Sequence, residues 1–309
     1  MSDQSLTFID LFCGIGGFHC AARQVSERRG VDMKCVFASD IDPHCQKAYE
    51  ANFGLEPIGD ITQVMAKDVP DHDLLFAGFP CQPFSIIGGM KGFEDTRGTL
   101  FFDIARILDE KRPRAFILEN VKMLVGHDKG ATLARIMATL GDLGYHAEHR
   151  VLNALDFGVP QKRERVLIVG FREPAEFSWP EGGLPMKPLS SLLEKNPDPR
   201  YLASEGIRAK RLAVQSKGSE PTIWHENKSG HISAYPYSCA LRAGASHNYL
   251  LVDGERRLTE REMLRLQGFP DSYKIVCSPA QTRRQAGNSV AVPVITAVLE
   301  RVVAALNKS

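Results

Sequence analysis

The chain has 309 residues and a mass of 34.2 kDa, enough for one large domain or about two. Its hydrophobic fraction of 43% and charged fraction of 24% are ordinary for a soluble globular protein. No apolar run reaches the roughly 20 residues of a membrane helix, and the first residues do not resemble a signal peptide, so we expect no membrane association. A net charge of +1 neither favours nor excludes nucleic acid as a partner, because phosphate binding depends on where the basic groups lie.

The seven cysteines are scattered along the chain without a C-x-x-C pair or the histidine spacing of a zinc site. An odd and scattered set is typical of reduced thiols. We therefore expect a cytoplasmic protein and no bound metal.

From residue 6 to residue 172, short apolar runs alternate with amphipathic stretches of helical length. This alternation predicts an α/β fold with a doubly wound, mostly parallel sheet. The predicted strands cover residues 7–12, 35–39, 74–77, 115–118 and 166–171, and the predicted helices cover residues 18–28, 45–52, 100–111 and 132–143.

After Arg172 the pattern changes, because prolines and glycines interrupt any regular period until about residue 200. The change predicts a second, smaller domain over residues 173–284. The last apolar segment, residues 290–306, is expected to form a helix that packs against the first domain. That first domain would then comprise residues 1–172 plus 285–309.

The first predicted strand leads into a glycine-rich turn that contains Gly14, Gly16 and Gly17. Glycines let a backbone approach a ligand closely, and the carboxyl ends of strands are where α/β sheets bind ligands. The spacing differs from the G-x-G-x-x-G pattern of dinucleotide enzymes, so a nicotinamide oxidoreductase is the least favoured function. Asp40 ends the second predicted strand, where it could bind ribose hydroxyls, and Asp60 lies at a further turn.

The hexapeptide Phe79-Pro80-Cys81-Gln82-Pro83-Phe84 follows a third apolar run. An isolated cysteine is most often a small buried hydrophobe. Here turn-forming residues surround Cys81, and a thiol held in a rigid, accessible turn is suited to act as a nucleophile.

Two further segments carry charged residues at strand ends. Glu119 closes an apolar run and is costly to bury unless it has a partner or performs acid/base chemistry. Arg163 and Arg165 alternate at the start of another strand and therefore share one face. They could simply be solvated, pair with Glu119, or bind phosphate.

These segments, in this order, resemble the DNA (cytosine-5)-methyltransferase family. The matching segments are residues 8–17, 78–85, 119–121, 161–166, 257–270 and 287–294, and the resemblance covers nearly the whole chain except residues 175–255. It implies an S-adenosylmethionine-dependent methyltransferase fold, with an irregular target-recognition domain as the smaller unit.

The resemblance implies that Cys81 attacks C6 of a cytosine flipped out of double-stranded DNA, and that Glu119 interacts with N3 of the ring. Arg165 would contact the base and Arg163 would support the catalytic residues. S-adenosylmethionine is the implied cofactor, with Phe8 against its adenine and Asp40 on its ribose. The full implied set of cofactor-binding residues is Phe8, Asp10, Gly14, Gly16, Gly17, Asp40, Ile41, Asp60, Pro80, Leu100, Asn288 and Ser289.

The resemblance also implies DNA contacts by Gln82, Ser85, Arg165 and Arg242. A Thr-Leu pair usual in the family is replaced here by Ala240-Leu241, and Arg242 or Ser238 could supply the missing contact with the DNA backbone. The compact length is similar to that of prokaryotic or phage modification enzymes, so we expect a monomer with a possible companion restriction endonuclease.

Two other functions are compatible with the same fold. One branch of the family methylates tRNA and carries a Cys-Phe-Thr signature in its small domain, which this sequence lacks. A nucleic-acid-binding protein that has lost catalysis is disfavoured by the presence of Cys81, Glu119, Arg163 and Arg165 together.

Overall fold

A computed structural model describes residues 5–80 and 100–308, and these residues form the predicted α/β fold. The strands are β1 (Ser5–Leu11), β2 (Asp32–Ser39), β3 (Leu74–Gly78), β4 (Ala115–Val121), β5 (His146–Asn153), β6 (Gln161–Lys162), β7 (Glu164–Phe171), β8 (Ile223–Glu226), β9 (Ile232–Tyr235), β10 (Ser238–Cys239) and β11 (Leu250–Val252). The helices are α1 (Gly17–Arg29), α2 (Pro43–Phe53), α3 (Leu100–Lys111), α4 (Ala131–Asp142), α5 (Glu205–Leu212), α6 (Glu260–Leu266), α7 (Pro279–Asn288) and α8 (Val292–Leu306).

Within the described residues, the main sheet has the strand order β2-β1-β3-β4-β7-β5. β1 pairs in parallel with β2 and β3, β3 pairs in parallel with β4, and β7 runs antiparallel to β4. All five predicted strands are therefore confirmed. The edge strand β5 is not among them, because half of its residues are polar and exposed and the strand therefore has no apolar run.

Helices cover both faces of this sheet. Ile9 and Leu11 of β1 share a hydrophobic core with buried residues of α3 and α4. The other face of the sheet packs against α1. There Phe76 of β3 stacks on Phe18 of α1, with 5.4 Å between the ring centroids. Coverage on both faces is what a doubly wound sheet requires, and it confirms the predicted fold class.

The predicted return of the last helix is confirmed. Thr296 of α8 donates its hydroxyl to the Gln24 side chain of α1 at 3.0 Å, and Glu300 pairs with Arg28 and Arg29. The stretch Pro279–Leu306 has the length and hydropathy of a membrane-crossing helix. The most apolar window of this stretch is 72% buried inside the protein, as expected of a core helix.

The chain divides into two compact units. The first unit comprises Met1–Leu152, Glu164–Glu181 and Ile295–Ser309, and the second comprises Asn153–Arg163 and Gly182–Val294. In the second unit β6 pairs in parallel with β10, while β8 lies between β11 and β9 in antiparallel pairing. The expected assignment of residues 1–172 plus 285–309 to catalysis and of residues 173–284 to target recognition stays a prediction.

Candidate functional site

The first unit contains an ion pair between Glu119 and Arg165. β4 and β7 are antiparallel neighbours in which Val121 lies opposite Arg165 and Glu119 lies opposite Leu167, so both charged side chains project from the same face. Arg165 Nε lies 2.9 Å from Glu119 Oε1, and the two side chains are only 19% and 11% exposed. A charge-assisted hydrogen bond with so little exposure holds the carboxylate in one orientation.

The end of β3 lies beside this ion pair. Gly78 pairs in register with Glu119, and the buried Asn120 side chain donates to the carbonyl of Phe79 at 3.0 Å. Asn120 therefore fixes the backbone immediately before Pro80. Sequence reasoning assigned no role to Asn120, although its place beside Glu119 in a buried strand was a usable signal. The predicted residues Cys81, Gln82 and Ser85 lie outside the described residues.

The glycine-rich turn follows β1 at the same edge of the sheet. Gly14 and Gly16 both have left-handed backbones, with φ of 53° and 77°, and the buried Gly17 begins α1. A Cβ on Gly14 would meet no atom within 4 Å, whereas a Cβ on Gly16 would lie 2.1 Å from the ring of Phe53. The space next to Gly14 is therefore open to a ligand, whereas close packing against Phe53 requires a glycine at position 16.

Asp40 at the end of β2 is tied to this turn. One of its carboxylate oxygens accepts from the Gly14 N–H and the other from the Asp42 N–H, each at 2.8 Å. Burial raises the pKa of Asp40, whereas these two backbone hydrogen bonds lower it. The next residue, Ile41, is 74% exposed, so an apolar side chain stands in solvent beside an anchored carboxylate.

Three further predicted cofactor residues belong to the first unit. Asp60 accepts from the Thr62 N–H at 2.9 Å, and this bond lowers the pKa of its partly exposed carboxyl. Pro80 is exposed just after β3, and Leu100 begins α3 with its side chain partly buried. Since the carboxyl ends of parallel strands meet at one edge of a sheet, the residues that follow β1, β2 and β3 share that edge.

The structure does not support ligand contacts by Phe8 and Asp10. Both are fully buried in β1, where the Phe8 ring packs on Phe76 at 5.2 Å, so neither has surface to offer a cofactor. The aromatic side chain at the turn is Phe12, which is partly exposed and has a left-handed backbone with φ of 55°. Alternation along a strand predicts that residues 8 and 12 share one face. It does not show which of the two lies at the end of the strand where the side chain is exposed.

Arg163, a buried residue of the second unit, binds backbone carbonyls. Its guanidinium donates to the carbonyls of Leu241 at 3.0 Å, Gly287 at 3.2 Å and Ser289 at 2.6 Å. It thus joins two distant segments, one of which carries the predicted cofactor residues Asn288 and Ser289. Asn288 is exposed and Ser289 is buried.

Two buried glutamines extend this network within the second unit. Gln161 donates to the carbonyl of Leu266 at 2.6 Å and accepts from the N–H of Leu241 at 3.0 Å. Gln267 accepts from the Gln161 side chain at 3.2 Å. Gln161 belongs to the segment of residues 161–166 that carries the family resemblance, but the sequence pattern pointed only to the two arginines of that segment.

Of the two residues proposed to replace the missing threonine, only one is accessible. Ser238 is fully buried, and its hydroxyl donates to the carbonyl of Cys239 at 2.7 Å. Arg242 is exposed, and its guanidinium lies 4.8 Å from the centre of the Tyr249 ring. A DNA contact at this position is therefore possible for Arg242 and does not fit Ser238.

Comparison with known proteins gives matches along nearly the whole chain. The family model described as C-5 cytosine-specific DNA methylase matches residues 6–304. The Type II methyltransferase M.NgoBI of Neisseria gonorrhoeae is 56% identical over 94% of this chain and 90% of its own length. M.HaeII of Haemophilus aegyptius is 51% identical, covering 97% and 93%, and M.HhaI of Haemophilus parahaemolyticus is 39% identical, covering 99% and 98%.

Solved structures with lower sequence identity share the fold. A DNMT2 protein of Spodoptera frugiperda has a TM-score of 0.75 at 21% identity, covering 96% of this chain and 99% of its own. The Dnmt2 methyltransferase of S. pombe has a TM-score of 0.73 at 24% identity, covering 98% and 99%.

Proposed function

Because this chain belongs to the C-5 cytosine-specific DNA methylase family, we propose that it methylates C5 of a flipped-out cytosine within a specific double-stranded DNA sequence. The observation that carries the proposal is the Glu119–Arg165 pair beside the end of β3, where the chain enters the segment that holds Cys81. Family membership implies dependence on S-adenosylmethionine, which would supply the methyl group.

Each residue of the proposed site has a chemical task. The Cys81 thiolate adds to C6 of the cytosine, which makes C5 nucleophilic toward a methyl donor. Glu119, held by Arg165, hydrogen-bonds or protonates N3 and so offsets the negative charge that develops on the ring. Loss of the C5 proton and elimination of Cys81 from C6 then restore the aromatic ring and the free enzyme.

The residues around the glycine turn are chemically suited to S-adenosylmethionine. Gly14 borders open space, Asp40 presents an anchored carboxylate for ribose hydroxyls, and the exposed Ile41 offers an apolar surface for a purine. We assign Phe12 rather than Phe8 to the adenine, since Phe12 is partly exposed whereas Phe8 is fully buried.

The biological role that we propose is sequence protection. The most similar relatives named above are Type II methyltransferases, which supports a cytoplasmic, monomeric modification enzyme whose companion endonuclease cuts the same site. The first unit would carry catalysis, and most of the second would recognise the target sequence.

The test is bisulfite sequencing of plasmid DNA from a methylation-free host that expresses the protein. We expect one short sequence motif to be protected by the wild type and by Cys277→Ser, and by neither the empty host nor Cys81→Ser. Thermal melting would check that Cys81→Ser remains folded. Methyl transfer by a folded Cys81→Ser protein would remove Cys81 from the mechanism. Absence of any protected plasmid motif, with protected cytosines in bisulfite-treated RNA from the same cells, would replace the DNA proposal by an RNA one.

A further inference from the structure

The second unit contains a cavity that the proposed chemistry does not use. It has a volume of about 400 Å³, within the range of small-ligand sites, and all of its lining residues belong to the second unit. Leucines, a methionine and the ring of Tyr249 form apolar walls. The cavity therefore has a volume and a lining that suit an organic ligand with a flat, apolar part.

Charge in the lining is strongly unbalanced. Arg200, Arg242, Arg257 and Arg283 all line the cavity, while Glu260 is the one carboxylate among its described lining residues. Glu260 already accepts a hydrogen bond from the Tyr201 hydroxyl. An excess of guanidinium groups in a concave surface creates a positive potential that selects an anion.

The helix α7 adds to this potential. Its N-cap Ser278 and its first two residues, Pro279 and Ala280, line the cavity, so the positive end of the helix dipole lies at the wall. Arg283, one turn along the same helix, has a buried Nε with no acceptor among the described residues, although its Nη1 donates to the Ala245 carbonyl at 3.0 Å. A desolvated donor of this kind gains from an anionic partner.

The same arginines act on a histidine in the cavity wall. The Arg283 guanidinium, with burial and Arg257 as smaller causes, lowers the pKa of His247 in the cavity wall. Arg242 stacks on the Tyr249 ring and thereby provides a flat cationic surface next to the apolar wall. Guanidinium groups beside an aromatic face are a combination that proteins use for nucleotides.

From these contacts we propose that the cavity binds a nucleotide, with its phosphate on Arg283 and the start of α7 and its base against the apolar wall and Arg242. The nucleotide is either one unit of the DNA substrate or a free mononucleotide. The first source rests on the proposed function, whereas the second does not.

The test uses the full-length protein and a matched pair of variants on one helix. Arg283→Gln removes a lining guanidinium, and Arg284→Gln removes an exposed charge from the adjacent position, which does not line the cavity. Arg200→Gln, at an exposed part of the wall, repeats the test if Arg283→Gln melts early. DNA affinity is measured by fluorescence anisotropy of a labelled duplex over a range of salt concentrations, and free-nucleotide binding by the thermal shift that dGMP and inorganic phosphate produce.

If the cavity takes a nucleotide of the DNA strand, Arg283→Gln should weaken duplex binding at least five-fold. The slope of log Kd against log salt should become shallower by about 0.9, the value for one lost phosphate contact, while Arg284→Gln leaves the slope near that of the wild type. If the source is a free nucleotide, dGMP should raise the melting temperature of the wild type and of Arg284→Gln, and not that of Arg283→Gln.

Equal DNA affinity and salt slope in the two helix variants, together with no dGMP-dependent shift in the wild type, would overturn the proposal. Bisulfite protection by the same wild-type preparation separates this outcome from a failure of the proposed function. If the wild type methylates DNA but the cavity variants show none of the expected changes, only the proposed nucleotide site is refuted.

Discussion

The acidic side chains of the first unit differ in proton affinity because their surroundings differ. Burial, and then the nearby Asp40 carboxylate, raise the pKa of Asp10 well above its ordinary value. Asp60 is partly exposed and accepts the Thr62 N–H, which lowers its pKa. Burial thus disfavours the charged form of Asp10, whereas the backbone N–H favours the charged form of Asp60.

Beneath the glycine turn, His19 provides a pH-dependent contribution to stability. Its ring stacks on Phe53 at 4.0 Å, and its Nδ1 lies 2.8 Å from the Tyr49 hydroxyl. Burial, with a smaller contribution from Arg23, lowers the pKa of His19 to about 3. The folded protein therefore holds this imidazole neutral between pH 6.5 and about 3, where the unfolded chain would protonate it.

This contribution to stability is present above pH 6.5 and is lost as the pH falls below that value. We predict that the wild type loses up to about 1.4 kcal/mol of unfolding free energy per pH unit through His19 as the pH falls from 6 to 4. His19→Gln keeps a polar group near Tyr49 and should lack this component. Urea denaturation of both proteins at pH 7, 6, 5 and 4 measures the difference, and parallel pH profiles would refute the assignment.

The turn between β1 and α1 shows how one element combines two requirements. Gly14 borders open space, and Gly16 lies against the ring of Phe53 at the end of α2. The turn thus combines an open backbone position with the packing of two helices. From the spacing of glycines alone, both positions would be interpreted as ligand contacts.

We predict that Gly16→Ala destabilises the protein by about 1 to 3 kcal/mol, because the new Cβ strains a left-handed backbone and collides with Phe53. Gly126→Ala is the matched control, since its backbone has φ of −98° and its Cβ would meet no atom within 4 Å. Thermal unfolding compares the two variants. Equal melting temperatures would show that the Phe53 ring moves aside without a loss of stability.

Across the whole molecule, both units are assembled from segments that are distant in sequence. The first unit takes its last segment from Ile295–Ser309, and the second begins with Asn153–Arg163 before the chain re-enters the first. A change in composition after Arg172 predicted a crossing, and in the structure the chain passes to the second unit between Glu181 and Gly182. The membership of residues 153–163 was not predicted, because it depends on contacts with residues about 80 to 125 positions further along the chain. Arg163 donates to the carbonyls of Leu241 and Gly287, and Gln161 accepts from the N–H of Leu241.

If the second unit recognises the target sequence, exchange of its central part should transfer specificity. We predict that a chimera carrying the segment of the Haemophilus aegyptius relative that corresponds to residues 182–240 methylates that relative's sequence and still requires Cys81. The exchange leaves Arg163 and its acceptors at residues 241, 287 and 289 in place. Bisulfite sequencing identifies the protected motif, and a folded chimera that keeps the parental motif would place recognition outside this segment.

The sequence by itself determined the fold class, five strands of the main sheet and the family, because these depend on local periodicity and on ordered motifs at strand ends. It also offered an ion pair of Glu119 with an arginine as one of three alternatives, since a charged residue that ends a buried strand needs a partner. The structure shows that the partner of Glu119 is Arg165. Only the tertiary structure decided that Phe8 is core while Phe12 has exposed surface, that Gly16 serves packing, and that Ser238 is buried. The physical reason is that a local pattern specifies which residues share a face, whereas contacts between distant segments determine what covers that face.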